Sequence, residues 1–124
     1  MGSDLQNELL IDFVRSKGEA ADYVISLCDG AFVLAKAGLV EGHISTTFPS
    51  DIITYRQQFP SLEVIEKVSF VHDRNLITSA GGAKSYDPAL YLCELLYSRE
   101  VALGLAAGLV IDWDLNTIEY QVAD

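Results

Sequence analysis

Cys28 is the residue whose type and surroundings point most directly to chemistry. It lies in Ser26-Leu27-Cys28-Asp29-Gly30, directly after a short apolar run and directly before a segment typical of a helix. This arrangement follows the G-x-S-x-G nucleophile-elbow pattern, with serine for the first glycine and cysteine for the nucleophilic serine. Small residues are needed two positions to either side, because a nucleophile on a tight strand-to-helix turn has a strained backbone that bulky neighbours would block.

The turn is expected to present the Cys28 sulfur at the N-terminus of the following helix. Unpaired amides and the helix dipole favour thiolate over thiol at such a position. The backbone amides of Asp29 and Gly30 are the predicted donors to an oxyanion on a substrate carbon. The Asp29 carboxylate opposes the dipole and disfavours the thiolate if it points inward. The alternative is that Cys28 is a small buried hydrophobe, the commonest state of a free cysteine.

Few other residues have side chains suited to catalysis. Cys93 lies between leucines in a helical pattern and is expected in the core. His43 is expected to be an exposed loop residue, with a role as replacement general base as the alternative, and His72 is expected at the surface beside a turn. Two histidines and no cysteine pair at ligand spacing give no support for a zinc site.

Two short motifs resemble ligand-binding loops without matching them. Residues 112–116 read Asp-x-Asp-x-Asn, but Thr117 and Ala123 stand where a calcium loop needs glycine and glutamate, so a polar turn is expected. Residues 80–82 read Ala-Gly-Gly and lack the features of a phosphate-binding loop. They predict a tight turn or a close approach to the elbow. No metal or cofactor is therefore expected.

The elements around the elbow begin with a helix. A capping box of Ser3 and Gln6 is predicted to start it, and Gly18 is predicted to end it. Its apolar face is expected to consist of Leu5, Leu9, Leu10, Phe13 and Val14.

Apolar periodicity and turn residues place the other elements. Residues 23–27 form an apolar run without clean alternation, as expected of a strand buried on both faces. Helices are predicted over 31–37, from Ser50 or Asp51 to Phe59, from Asp87 as N-cap with Pro88 at N1 to Tyr97, and from Ser98 to about Leu109. Further strands are predicted at 43–48, 62–71, 76–78 and 118–122, with a turn at 73–75.

This alternation predicts an α/β fold with a mostly parallel sheet covered on both faces. The chain opens on a helix and supplies few central strands, so a part of the sheet is expected to be missing at the front. Unpaired backbone groups would then line an apolar edge, and we expect a complementing chain or self-association to cover it.

Length, charge and cysteine usage restrict the class of protein. The 124 residues predict one domain, with 50% hydrophobic and 21% charged residues as in ordinary globular proteins. Eighteen acidic against eight basic residues give a net charge of −10, which argues against binding nucleic acid or an anionic membrane. The sequence has no apolar run of about 20 residues and no basic signal region, and its two cysteines are too few for a disulfide scaffold. A cytoplasmic protein is expected.

Several blocks together resemble the DJ-1/PfpI (ThiJ/PfpI) superfamily. They are LCDGAF at 27–32, LAKAGL at 34–39, STT at 45–47, ITSAGG at 77–82 and YDPAL at 86–90. The amidotransferase-like branch, with isonitrile hydratases and the N-terminal domains of AraC-type regulators, is the most similar. The resemblance implies a flavodoxin-like, class I glutamine-amidotransferase-like sandwich that is often dimeric, with Cys28 as its reactive centre.

The resemblance also assigns further site residues and marks three departures. It implies a substrate side formed by Thr47, Phe48 and Gly81, where many relatives carry histidine in place of Phe48. Isonitrile hydratases carry threonine at the position of Asp29. The acidic residue that contacts the cysteine in the family belongs to the first strand-helix-strand portion of the family's sheet, which is expected to be missing from this chain. Residues 1–124 are thus expected to be a single, incomplete domain of this family.

Three functions fit these observations. The first is a thiol enzyme in which Cys28 hydrolyses or hydrates a small C–N or carbonyl substrate. The second is a redox or stress sensor in which Cys28 oxidises without turnover. The third is a non-catalytic ligand-sensing domain, which Phe48 and Asp29 favour because they replace residues of the family's reactive centre.

Overall fold

The computed structural model describes residues 6–123, and its largest element is a four-stranded sheet in the order β1-β5-β4-β6. The strands are β1 Val24–Ser26, β2 Ile44–Ser45, β3 Glu63–Val64, β4 Phe70–Asp73, β5 Leu76–Ser79 and β6 Tyr120–Val122. The helices are α1 Glu8–Ala20, α2 Gly30–Lys36, α3 Ile52–Gln58, α4 Tyr86–Leu96 and α5 Arg99–Gly108. Short 3-10 turns cover Pro49–Asp51, Gly82–Lys84 and Leu115–Thr117.

Parallel pairing predominates, as the sequence predicted. β1 pairs with β5, β4 with β6, and β2 with β3 in parallel, whereas β4 and β5 form an antiparallel hairpin. Arg74 turns this hairpin with a φ of +58°, inside the predicted turn. The α/β fold with a mostly parallel sheet is therefore confirmed.

Helices cover both faces of the sheet. On one face, Phe70 and Ile77 pack against α4 and α5 in a cluster completed by Leu90, Tyr91, Ala102, Ala106 and Trp113. The neighbouring strand residue Leu76 belongs to a different cluster, with Leu34 of α2 and Val40. Adjacent residues of a strand point to opposite faces, so the two clusters lie on opposite sides of the sheet.

β1 does not lie inside the sheet, although its sequence predicts a strand buried on both faces. It pairs only with β5 among the described strands and forms the edge of the sheet. Ile25 is 37% exposed and Leu27, just beyond the strand, is 46% exposed. An apolar strand at an open edge matches the expectation that a neighbouring portion of the sheet is missing.

α1 differs from its prediction at both ends and on its face. Asn7 caps it by accepting from the Leu10 amide at 3.1 Å, whereas the predicted cap Ser3 lies outside the described residues. The helix continues past Gly18, which was predicted to end it. Glycine at this position serves packing instead, because a Cβ there would collide with Leu39.

The face that α1 buries is also different. Ile11 is its buried residue, whereas Leu9 is 84% exposed and Phe13 is 61% exposed, so the predicted apolar face is wrong at these two positions. The helix has apolar residues on two sides, and the periodicity alone did not distinguish the side that meets α2.

Two other elements begin or break where sequence signals were misread. The strand predicted over 62–71 is divided into β3 and β4, with Lys67 between them at a φ of +64°. A left-handed residue such as Lys67 ends strand pairing locally, and nothing in the composition of the segment signals it.

The turn before α3 has no side-chain cap, although Ser50 or Asp51 was predicted to supply one.

The starts of α4 and α5 give opposite outcomes. Ser98 caps α5 as predicted, accepting from the Val101 amide at 3.1 Å. Asp87 was predicted to cap α4, but the helix begins at Tyr86, and the Asp87 carboxylate accepts from the Ser69 hydroxyl instead. A contact between distant segments has replaced the local cap.

The helices in the described part of the chain are short. The longest helix, α1, has 13 residues, and no helix among residues 6–123 combines the length and apolar character needed to span a membrane.

Candidate active site at the cysteine turn

Cys28 occupies the turn between β1 and α2 with a backbone φ of +53°. A residue with a side chain adopts this left-handed conformation at a cost of about 1–2 kcal/mol, so the surrounding structure must hold it there. The geometry is that of a nucleophile elbow, in which the strained turn directs the side chain out of the end of the strand. The side chain is half-buried, so the alternative of a sulfur sealed in the core does not apply.

The turn after β5 is in direct contact with this elbow. Gly81 has a φ of +75°, and a Cβ at this position would lie 2.5 Å from the Cys28 nitrogen and closer still to the sulfur. The next amide, of Gly82, donates to the Cys28 Sγ at 3.2 Å. The predicted close approach is thus realised at Gly81. The donor role of Gly82 was missed, because the sequence does not reveal where an amide points.

The residues flanking the cysteine pack closely. A Cβ on Gly30 would lie 3.6 Å from the Ser26 Cβ, which is ordinary van der Waals contact, so this distance does not by itself require glycine at position 30. The Gly30 amide donates to the Leu27 carbonyl at 3.1 Å, so an oxyanion would compete with this carbonyl for it. The described residues give the Asp29 amide no acceptor. α2 has only seven residues, so the Gly82 amide is the clearer source of stabilisation for an anionic sulfur.

Asp29 faces Thr47 and a second carboxylate. The Thr47 hydroxyl lies 3.1 Å from both the Asp29 Oδ1 and the Cys28 carbonyl, which joins the loop after β2 to the elbow. Burial, followed by the adjacent Asp51 carboxyl, raises the pKa of Asp29, while the Thr47 hydrogen bond lowers it in part. The predicted opposition between Asp29 and a thiolate is therefore weakened to the extent that the carboxyl group holds a proton.

Neither histidine has a hydrogen bond to the cysteine. His43 is half-buried, with its Nδ1 3.5 Å from the Asp73 carboxylate, and it is not the exposed loop residue that was expected. His72 on β4 is also not a free surface residue, because its Nε2 lies 2.7 Å from the Arg74 carbonyl and its Nδ1 lies 2.5 Å from the Tyr91 hydroxyl. The His72 ring is therefore held at both nitrogens, whereas the buried His43 Nδ1 has only this longer contact with Asp73 and no hydrogen bond.

A cavity of about 890 Å³ opens beside the elbow. Thr47, Phe48 and Gly81, the predicted substrate-side residues, all line it, and so does Gly82. Cys28 is not itself a lining residue, so the cavity lies next to the elbow and meets it at Gly81 and Gly82. The buried Asp87 lines its other side, and no sequence motif predicted that residue as part of a site.

Ligand-binding loops are not found elsewhere in the described chain. The segment at 112–116 contains a 3-10 turn in which Asp114 accepts from the Asn116 amide at 3.0 Å, as expected of a polar turn. Within residues 6–123, no three His, Cys, Asp or Glu side chains are grouped so as to hold a metal ion. Cys93 packs against the core cluster on α4, as predicted.

The contact of Gly81 with Cys28 predicts that Gly81→Ala is far more damaging than Gly82→Ala. Both glycines have positive φ, so both variants incur the left-handed penalty of about 1–2 kcal/mol. Only the Gly81 variant also drives a methyl group into the Cys28 backbone, since the nearest atom to a Cβ on Gly82 is 3.8 Å away. Urea denaturation of both variants measures the difference, and equal losses of stability would contradict the close approach.

The raised pKa of Asp29 predicts that Asp29→Asn stabilises the protein near neutral pH. A carboxyl whose folded-state pKa exceeds its unfolded value favours folding below the unfolded pKa, and this contribution is lost as the pH rises through the folded pKa. Above that range the ionised side chain costs stability, and asparagine removes this cost. Denaturation at pH 7 and pH 3 should show a gain only at pH 7. Asp51→Asn should give a smaller gain that does not add to the first, because burial is the larger cause of the raised pKa of Asp29.

Comparison with known proteins agrees with this geometry. The sequence model of the DJ-1/PfpI family matches residues 2–95. The isonitrile hydratase of Pseudomonas putida is 36% identical over 103 residues, covering 82% of this chain and 43% of that protein. Protein dj-1beta of Drosophila melanogaster is 29% identical over 109 residues, covering 88% of this chain and 57% of that protein. The chain spans about half the length of these curated relatives.

A regulator and a solved structure extend the comparison. The transcriptional regulator GbdR of Pseudomonas aeruginosa is 23% identical over 111 residues, covering 90% of this chain and 30% of that protein. The crystal structure of Drosophila DJ-1beta superposes with a TM-score of 0.73 and 28% identity, covering 90% of this chain and 59% of that one. The matched sequence model, the shared fold and the identity to isonitrile hydratase show that this chain belongs to the DJ-1/PfpI family.

Proposed function

We propose that this protein is a cysteine-dependent enzyme in which Cys28 attacks the carbon of a small C–N or carbonyl compound. The observation that carries the proposal is the strained elbow, in which Cys28 has a φ of +53° and its sulfur accepts from the Gly82 amide. Strain at a reactive side chain is retained where the surrounding structure positions it for reaction. The identity to an isonitrile hydratase, which extends over most of the chain, supports a substrate with a C–N bond.

The reaction proceeds through attack of the sulfur. For an amide substrate, the thiolate forms an S–C bond, and the carbonyl oxygen becomes an oxyanion to which we assign the Asp29 amide as donor. Collapse of this intermediate breaks the bond to the leaving nitrogen, which takes a proton and departs as an amine. Water then cleaves the thioester, releasing the acid and restoring the thiol. Nothing is oxidised or reduced in this sequence.

A proton-accepting partner for Cys28 is expected from outside the described residues. Within residues 6–123, the Gly82 amide is the one hydrogen-bond partner of the sulfur. Phe48 stands at the position where the family resemblance implies a histidine. The acidic residue that contacts the cysteine in the family is therefore proposed to come from a further segment or another polypeptide.

Fast alkylation of Cys28 tests the proposal. Iodoacetamide at pH 7 should modify Cys28 about tenfold faster than free cysteine. The thiolate is the reacting species, and the Gly82 amide that donates to the Cys28 sulfur favours it. Cys93 is the internal control, since it packs against the core of the same chain and should react slowly. Peptide mass spectrometry measures both rates in one sample. A Cys28 rate equal to that of free cysteine would overturn the proposal.

A sensing role without turnover is the second candidate. Phe48 replaces a histidine and the Asp29–Asp51 pair adds carboxylates near the sulfur, so the usual means of activating the thiol are reduced. The similarity to the regulator GbdR also favours it. Selective addition of oxygen to Cys28 by mild peroxide, with no hydrolysis across a substrate panel, would favour redox sensing. Full function of Cys28→Ser in the cell would favour ligand sensing.

Self-association or a complementing chain is proposed at the open edge of β1. The edge presents Ile25, and the nearby α1 presents Leu9 and Phe13, all of them exposed. Unpaired backbone groups beside apolar side chains favour pairing with another strand.

The 124-residue chain should therefore be larger than a monomer in light scattering after size exclusion. Ile25→Lys should shift it towards monomer, because a charge at the edge opposes strand pairing. Lys36→Glu is a control at an exposed charged position. A monodisperse, well-folded monomer of the unmodified chain would contradict this proposal.

A further inference from the structure

Asp87 is the buried charge of the cavity beside the elbow. It is 5% exposed, and its Oδ2 accepts from the Ser69 hydroxyl at 2.5 Å. Within the described chain, Ser69 supplies the one hydrogen bond to this carboxylate, and no lysine, arginine or histidine pairs with it. A buried carboxylate without a cation is costly, and such groups in proteins are normally paired.

The second oxygen of Asp87 remains available. Among residues 6–123, the side-chain atoms that are both sealed from solvent and without a partner are Ser26 Oγ and His43 Nδ1. Oδ1 of Asp87 is not one of them, so this oxygen retains some exposure, and Asp87 lines the cavity. Asp87 lies in the first turn of α4, and no backbone amide of the described helix donates to its side chain.

The remaining charges of the cavity are exposed and nearly balanced. Glu66, Asp112 and Glu119 line it together with Lys67 and Lys84, and all five are exposed to water. Their fields are screened, whereas the field of a buried carboxylate is screened much less. The sign of the charge that the inner cavity prefers is therefore set by Asp87.

We infer that this cavity binds a small molecule through a protonated primary amine. The ammonium group donates to the free Oδ1 of Asp87 and supplies the missing positive charge, while the uncharged part of the molecule lies towards Phe48 and Gly82. Gly82 also lines the cavity, and its amide donates to the Cys28 sulfur, although Cys28 is not itself a lining residue. Binding is independent of the cysteine, and only the fate of the bound molecule at Cys28 rests on the proposed function.

Titration calorimetry with butylammonium and with butanol tests the inference, since the two probes have similar size and differ in charge. The chain carrying Cys28→Ser is used so that no covalent step contributes. Butylammonium should bind saturably and at least about tenfold more tightly than butanol, as expected for a hydrogen bond to a buried charge. Tetramethylammonium, which has the charge but no N–H donor, should bind more weakly than butylammonium.

Asp87→Asn should reduce the affinity for butylammonium at least about tenfold, whereas Asp112→Asn, at an exposed lining position, should change it less than twofold. Ser69→Ala keeps the carboxylate and should retain preference for butylammonium over butanol if Asp87→Asn fails to fold. Equal binding of butylammonium and butanol by the unmodified cavity, or no saturable binding of butylammonium, would overturn the inference. Fast alkylation of Cys28 without amine binding would remove this inference alone and leave the proposed function standing.

Discussion

The parallel pairing of β1 with β5 is the constraint on which the site depends. Its register places Ser26 opposite Thr78, so both strands end at the same edge and their following turns meet there. The elbow at Cys28 and the turn at Gly81 can approach within contact distance only because one of them lacks a Cβ. The strained cysteine is thus held by a neighbouring strand, and its conformation is not a property of the local sequence alone.

The same edge gathers the other parts of the site. The Thr46 amide donates to the Thr78 side chain at 2.8 Å, which fixes the loop after β2 against β5. The adjacent Thr47 then reaches the Cys28 carbonyl and Asp29. Three chain segments distant in sequence are thereby joined through short side chains. A substitution in any one of them is expected to move the sulfur relative to the cavity.

The sequence predicted the parts of this site that depend on local chemistry. The elbow is recognisable because small residues at fixed spacing follow an apolar run. The helix cap at Ser98 and the hairpin turn at Arg74 also depend on local sequence. The donor role of Gly82 and the contact of Asp87 with Ser69 are not local, since each joins residues well separated along the chain. The position of β1 at an edge was also hidden, because an apolar strand looks the same whether its neighbour is present or absent.

Charge decides which molecules can approach the elbow. The chain has a net charge of −10, and carboxyl groups lie beside the cysteine in sequence, at Asp29, and in the lining of the cavity, at Asp87. The raised pKa of Asp29 lessens this charge on the side of the sulfur, where a second negative group would oppose a thiolate. Asp87 is buried at the start of α4, and among residues 6–123 no lysine, arginine or histidine pairs with it. The two acidic groups therefore have different consequences, since one accommodates the reactive sulfur and the other selects a cation.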